Sequence, residues 1–233
     1  MSGELVGIGL GPGDPELLTL KAVRLLGEIP VVATIASDRA EPVAARIAEP
    51  HLAADVERLA FRAPMHADAG TRAAFYDEVA TVIGEKLASG RRVGVPCLGD
   101  PLFYGSFIQL LERLAPRHPC SVVPGVTAPH AASAVLRLPL ARARESVLVL
   151  PATLPDERLA RGLATADTAV LVKLGRHLPR IRRLLAKAAP DFAAWIASGV
   201  GTPEERLAPL DRWQEPVAPY MSLLILRRAM AAG

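Results

Sequence analysis

The chain has 233 residues, 51% apolar, 22% charged and 4% aromatic, with a net charge of +3. That length allows one large domain or two small ones, and the composition excludes both intrinsic disorder and a base-stacking surface for single-stranded nucleic acid. No apolar run approaches the ~20 residues of a membrane span, so no membrane partner is expected. The start, MSGELVGIGL, lacks a basic n-region and reads as strand rather than signal peptide. Cys97 and Cys120 are too few for a disulfide scaffold and too isolated for a zinc site, so no metal is expected and a reduced, cytoplasmic setting is. The basic residues are nearly all arginine, lysine standing only at 21, 86, 173 and 187. Arginine suits bidentate contact with carboxylate or phosphate, although an arginine- and alanine-rich genome explains the same bias.

In chain order, residues 4–10 read as a buried strand through Leu5, Val6, Ile8 and Leu10. Gly11-Pro12-Gly13-Asp14-Pro15 follows, then an amphipathic run through Leu17, Leu18, Val23, Leu25 and Leu26. Asp14 is placed to cap that helix, and Pro15 suits its first turn. Residues 30–35 and 55–61 read as strands on either side of a short helix over 43–48. The spacing predicts a long helix over 71–89, capped by Thr71 and stopped by Gly90. A strand over 92–97 leads to Leu98-Gly99-Asp100-Pro101, and helical spacing resumes over 103–114. The APRHP stretch, with Pro116 to Pro119 and His118 inside it, is the best candidate linker. Beyond it come a strand over 120–123, the turn Pro124-Gly125-Val126-Thr127 and a helix over 128–136. Strands over 146–150, 169–174 and 193–197 alternate with helices over 156–164 and 178–189, and a strand over 221–226 closes the chain. This alternation predicts an α/β fold of two α/β lobes, residues 1–117 and 118–233, with a largely parallel sheet in the first.

Three turns share one design, a strand followed by a Gly/Pro turn with a small polar residue and then a helix. They lie at Gly9–Pro15, at 98–101 and at 124–128. In α/β folds ligands settle outside the carboxyl ends of strands, where such turns sit. Glycine admits a ligand to the backbone, and helix N-termini offer N–H groups to an anion. A dinucleotide fingerprint fails in both registers: after Gly7 and Gly9 its third glycine falls on Pro12, and after Gly9 and Gly11 on Asp14. No Gly-Lys-Ser/Thr follows any turn, which excludes a P-loop.

GIGLGPGDPELLT, GDPLFYGS, VVPGVTA, VLVKLGR and PYMSLLILRR occur in the order and spacing of the tetrapyrrole methyltransferases, and the chain resembles that family from residue 5 to 228. Within it, GPGDPELLTLKA, GDPLFYGSF, VLPATLP and VKLGR are most similar to the precorrin-2 C20-methyltransferases of cobalamin synthesis. The resemblance implies a homodimeric, cytoplasmic enzyme of two α/β lobes that takes S-adenosylmethionine (S-adenosyl-L-methionine) into the cleft between them. It gives cofactor-binding roles to Pro12, Leu98, Gly99, Asp100, Phe103, Thr127, Ala128, Lys173, Val200, Met221 and Ser222. Gly11, Gly13, Asp14, Tyr104, Arg39, Arg46 and Arg176 would face the anionic tetrapyrrole, precorrin-2 or its cobalt form. Asp14 is also the candidate catalytic proton acceptor, with solvent as the alternative. Taken alone, Asp100 and Thr127 read first as helix caps, and Phe103 and Tyr104 also fit as ordinary core aromatics.

The implied chemistry is methyl transfer from a sulfonium to an electron-rich ring carbon, which needs alignment and dryness more than an activated side chain. The chain departs from the family pattern at Leu98, at Ser198-Gly199-Val200-Gly201, and in a short stretch over 36–41. Methyl transfer at another ring position, a non-catalytic homologue and a nicotinamide-dependent oxidoreductase are the competing functions. The failed fingerprint disfavours the last of these, and the modest net charge disfavours a nucleic-acid substrate.

Overall fold

The structure, a computed structural model, describes residues 2–38, 42–64 and 68–229. It divides into two compact units, Met1–Thr127 and Ala128–Gly233. In the first, β1 (Leu5–Gly9), β2 (Val31–Ser37), β3 (Glu57–Ala63), β4 (Val93–Cys97) and β5 (Cys120–Val123) form a sheet in the order β3-β2-β4-β1-β5. Every pairing is parallel. β1 and β4 are buried along their whole length, as central strands covered on both faces must be.

Alternation along β1 divides the core. Leu5 faces α3 (Ala69–Ala88) and α4 (Phe107–Leu114), packing with Ile83, Leu87, Phe107 and Leu114. Val6 and Ile8 face the opposite way, toward Ala22, Leu25 and Leu26 of α1 (Leu20–Glu28) and Ile47 of α2 (Val43–Ala48). Positions 22, 25, 26 and 29 recur at helical spacing, so α1 presents one continuous apolar stripe. Each fully buried leucine or isoleucine contributes about 1.5–3 kcal/mol.

The second unit carries a mixed sheet of β6 (Val147–Pro151), β7 (Thr168–Val172), β8 (Phe192–Ser198), β9 (Arg206–Pro209) and β10 (Ser222–Arg228), in the order β6-β7-β10-β8-β9. Only β6 and β7 run parallel; β10 pairs antiparallel with both its neighbours. Leu159 and Leu163 of α6 (Asp156–Thr165) and Leu178 and Ile181 of α7 (Leu178–Ala188) pack on Leu171, Ile196 and Leu224. The remaining helix is α5 (Ala128–Leu136).

Four expectations change. The boundary expected between 117 and 118 moves to 127/128, because β5 pairs with β1 inside the first sheet. APRHP is a tight helix-to-strand connection, with the Arg117 and His118 amides both bonded to the Leu114 carbonyl. The cap of α3 is Asp68, which accepts from the Thr71 amide at 3.0 Å and its hydroxyl at 2.6 Å. Asp14 caps a short 3-10 turn, Pro15–Leu17, while Thr19 caps α1 through the Ala22 amide.

Candidate functional site

In the first unit, all five parallel strands end on one edge of the sheet, so the turns after β1, β4 and β5 emerge side by side. The first two are bonded to each other. The Gly99 amide donates to the Gly11 carbonyl at 2.6 Å, the Gly11 amide to the Gly99 carbonyl at 3.3 Å, and the Leu10 amide to the Cys97 carbonyl at 2.9 Å. The third turn fits against both. A Cβ on Gly125 would lie 2.1 Å from the Gly99 carbonyl oxygen, and one on Gly9 only 2.5 Å from the Gly125 nitrogen. Side chains are excluded from this junction by backbone on every side.

On its other face the junction is open. Gly99 has φ +73°, and a Cβ there would meet none of the described residues within 4 Å. A ligand can therefore approach main chain at Gly99, with Leu98 and Asp100 half-buried on either side. The structure thus brings together Gly11, Pro12, Gly13, Asp14, Leu98, Gly99 and Asp100, with Thr127 closing the third turn. Pro12 is buried, and Asp14 is half-buried with Oδ1 accepting from the Glu16 amide at 2.9 Å. Gly9 and Gly125 belong to the same junction, although the resemblance assigns them no role.

Asp100 does not cap a helix. Its Oδ1 accepts from the Leu102 amide at 2.9 Å and its Oδ2 from the Gly125 amide at 3.0 Å. The helix expected from 103 begins only at Phe107, because residues 101–106 form an irregular loop in which Gly105 packs on the Pro101 carbonyl. Phe103 and Tyr104 sit in that loop as an edge-to-face pair 5.1 Å apart, with Tyr104 exposed and at φ +58°. They are therefore loop aromatics and not core ones. Cys97 lies directly before the turn and is buried. Burial first, and the Asp100 carboxylate second, push its thiol up to about 12.

In the second unit, β10 begins beside the end of β8, with Ser222 paired to Ser198 and the Gly199 amide donating to the Met221 carbonyl at 3.3 Å. The pairing of Leu224 with Leu171 brings the end of β7 to the same end of the sheet. Lys173, Val200, Met221 and Ser222 are thereby gathered. Lys173 is exposed at φ +58° and Met221 half-buried at φ +66°. Such left-handed backbone is costly away from glycine and concentrates at functional positions. Among the described residues the Ser222 hydroxyl is buried without a hydrogen-bond partner, and a Cβ at Gly175 would also meet none of them within 4 Å. Ser198 is the residue here that local sequence could not reveal, since only strand register sets it opposite Ser222.

The substrate candidates are more dispersed. Arg46 is exposed in the last turn of α2, and Arg176 is exposed in the 3-10 turn Gly175–His177. Burial, Arg180 and Arg176 hold His177 below the usual imidazole range. Ala128 opens α5. Arg39 lies outside the described residues.

The family model for tetrapyrrole (corrin/porphyrin) methylases matches residues 4–212. The chain is 40% identical to the cobalamin biosynthesis protein CobIJ of Mycobacterium tuberculosis over 99% of its own length and 48% of that protein's, so it spans about half of that relative. It is 38% identical to the precorrin-2 C(20)-methyltransferase of a Sinorhizobium species, covering 96% of this chain and 95% of that one. Among solved structures it is similar to the uroporphyrin-III C-methyltransferase of Thermus thermophilus complexed with S-adenosylhomocysteine. The TM-score is 0.67 and the identity 27%, over 97% of both chains. With a family match over about nine-tenths of its length and a relative 38% identical over 96% of this chain and 95% of that one, the chain belongs to the tetrapyrrole (corrin/porphyrin) methylases.

Proposed function

We propose that the chain transfers a methyl group from S-adenosylmethionine to C20 of precorrin-2, metal-free or holding cobalt, in cobalamin biosynthesis. The observation that carries this reading is the cradle at Gly99, where a left-handed glycine opens main chain to a ligand while three interlocked turns hold it rigid. When bound, S-adenosylmethionine supplies an electrophilic methyl group on a sulfonium. The protein's own task is then to orient and to exclude water. Leu98, Gly99 and Asp100 would bind through main chain, with Pro12, Phe103, Thr127 and Ala128 packing on the cofactor. Lys173, Val200, Met221 and Ser222 take cofactor-lining roles, and the buried Ser222 hydroxyl, unpartnered among the described residues, would gain from a ligand acceptor or donor.

The tetrapyrrole is its own nucleophile, so no side chain needs activation. Gly11, Gly13 and Tyr104 would shape the substrate's side, and Arg39, Arg46 and Arg176 would pair with its carboxylates. Asp14, with one oxygen on the Glu16 amide, would take the proton released from the methylated carbon at the other. The functional unit is read as a homodimer, which light scattering on the purified chain would test.

The experiment is incubation with S-adenosylmethionine and freshly generated precorrin-2, with and without cobalt, followed by mass spectrometry. A tetrapyrrole heavier by CH2, a methyl group gained and a proton lost, is expected. Unchanged tetrapyrrole in both arms overturns the proposal.

A further inference from the structure

The second and third turns are joined by one side chain. Asp100 spends both carboxylate oxygens on main-chain amides, Oδ1 on Leu102 two residues ahead and Oδ2 on Gly125 twenty-five residues ahead. The first bond shapes the loop that leaves Gly99. The second clamps the turn whose glycine already touches the Gly99 carbonyl. We infer that Asp100 is a positioning residue, whose carboxylate fixes the Gly99 main chain against the Gly125–Thr127 turn and so sets cofactor affinity without needing to touch the cofactor by its side chain. The inference rests on the proposed use of S-adenosylmethionine.

Two N–H groups converge on Asp100, and a carboxylate meets them with two acceptors. Asparagine has nearly the same shape but only one acceptor, so either flip of its amide sets an NH2 against an N–H. One amide is left unsatisfied and pushed away, and the spacing of the two turns changes. Alanine removes both acceptors but leaves room for water to replace them. Asparagine should therefore be the more damaging of the two, the reverse of an ordering by size.

The test uses Asp100→Asn and Asp100→Ala in the full chain, with Asp77→Asn as a control carboxylate on α3 that pairs with Arg113 at the surface. S-adenosylhomocysteine affinity is read by calorimetry, and kcat and KM for each substrate by methyl transfer. Asp100→Asn is expected to weaken S-adenosylhomocysteine binding by about tenfold or more. Its KM for S-adenosylmethionine should rise while that for the tetrapyrrole holds, and Asp77→Asn should match the unsubstituted chain. Equal affinity in Asp100→Asn and the unsubstituted chain overturns this inference and leaves the proposed function standing. No binding by the unsubstituted chain overturns both. If neither Asp100 variant folds, amide exchange in the unsubstituted chain decides. Protected Leu102 and Gly125 amides that slow further with S-adenosylhomocysteine support the clamp, and amides exchanging at the unprotected rate overturn it.

Discussion

Gly7 of β1 lies directly beneath the ring of Phe107 on α4, where a Cβ would stand 2.7 Å from the ring edge. Phe107 is fully buried and is among the largest side chains of the first unit's core. The first glycine of the apparent Gly-x-Gly motif is thus a packing glycine on the α3/α4 face of the sheet. It serves a helix and not a ligand.

That relationship makes a paired prediction. Gly7→Ala and Phe107→Ala should each destabilise the first unit, the second by about 3–5 kcal/mol as a large buried aromatic is lost. Combining Gly7→Ala with Phe107→Leu should recover part of the loss, since the smaller side chain makes room for the methyl group. Urea unfolding of the single and double variants reads the coupling, and strict additivity would contradict the contact.

Gly99 and Gly125 should respond differently to the same methyl group. At Gly99 the space is open but φ is +73°, so alanine costs about 1–2 kcal/mol of stability and fills the place where the cofactor is proposed to lie. At Gly125 the methyl group collides with the Gly99 carbonyl, so folding and binding fall together. Thermal melts beside S-adenosylhomocysteine calorimetry separate the two outcomes.

Lys173 is held left-handed at an exposed position. Replacing it with glycine should relieve backbone strain of about 1 kcal/mol, and so leave stability equal or higher, while cofactor binding weakens. A variant that loses stability and keeps affinity would contradict a site role for this residue.

Cys97 gives a pH dependence. The folded chain keeps the thiol proton to about 12, against an ordinary value of 9.0. The unfolded chain releases it earlier, so between these values the folded state binds more protons. Stability is therefore intact below the ordinary value and declines as pH rises above it, by about 1.4 kcal/mol per pH unit at most. Comparing unfolding of the unsubstituted chain and Cys97→Ala at about pH 8 and about pH 10 should show the variant lacking a loss of order 1 kcal/mol. The same burial keeps a thiolate, itself a methyl acceptor, from forming beside the proposed cofactor turn.

Much of the architecture is legible locally. The strand, turn and helix alternation places nearly every element, because apolar spacing and glycine or proline punctuation are short-range signals. What local sequence hides is register. β5 looks like the start of a second lobe until its pairing with β1 draws it into the first sheet. β9 is four residues long and mostly exposed, too short for its pattern to stand out. Thr71 reads as the cap of α3 in the sequence, but the helix begins earlier and Asp68 caps it, with Thr71 as its donor. The three turns stand out as a set in the sequence, but their interlock through Gly9, Gly99 and Gly125 depends on strands far apart in the chain. Asp100 shows the same limit: a helix cap by local pattern, it is a clamp between turns once β4 and β5 flank β1.

The most direct measurement is carbon-13 NMR of the tetrapyrrole formed from precorrin-2 and S-adenosylmethionine labelled in its methyl carbon. One labelled methyl group attached to the C20 meso carbon is expected. A labelled methyl at any other ring position, or no label in the tetrapyrrole, would contradict it.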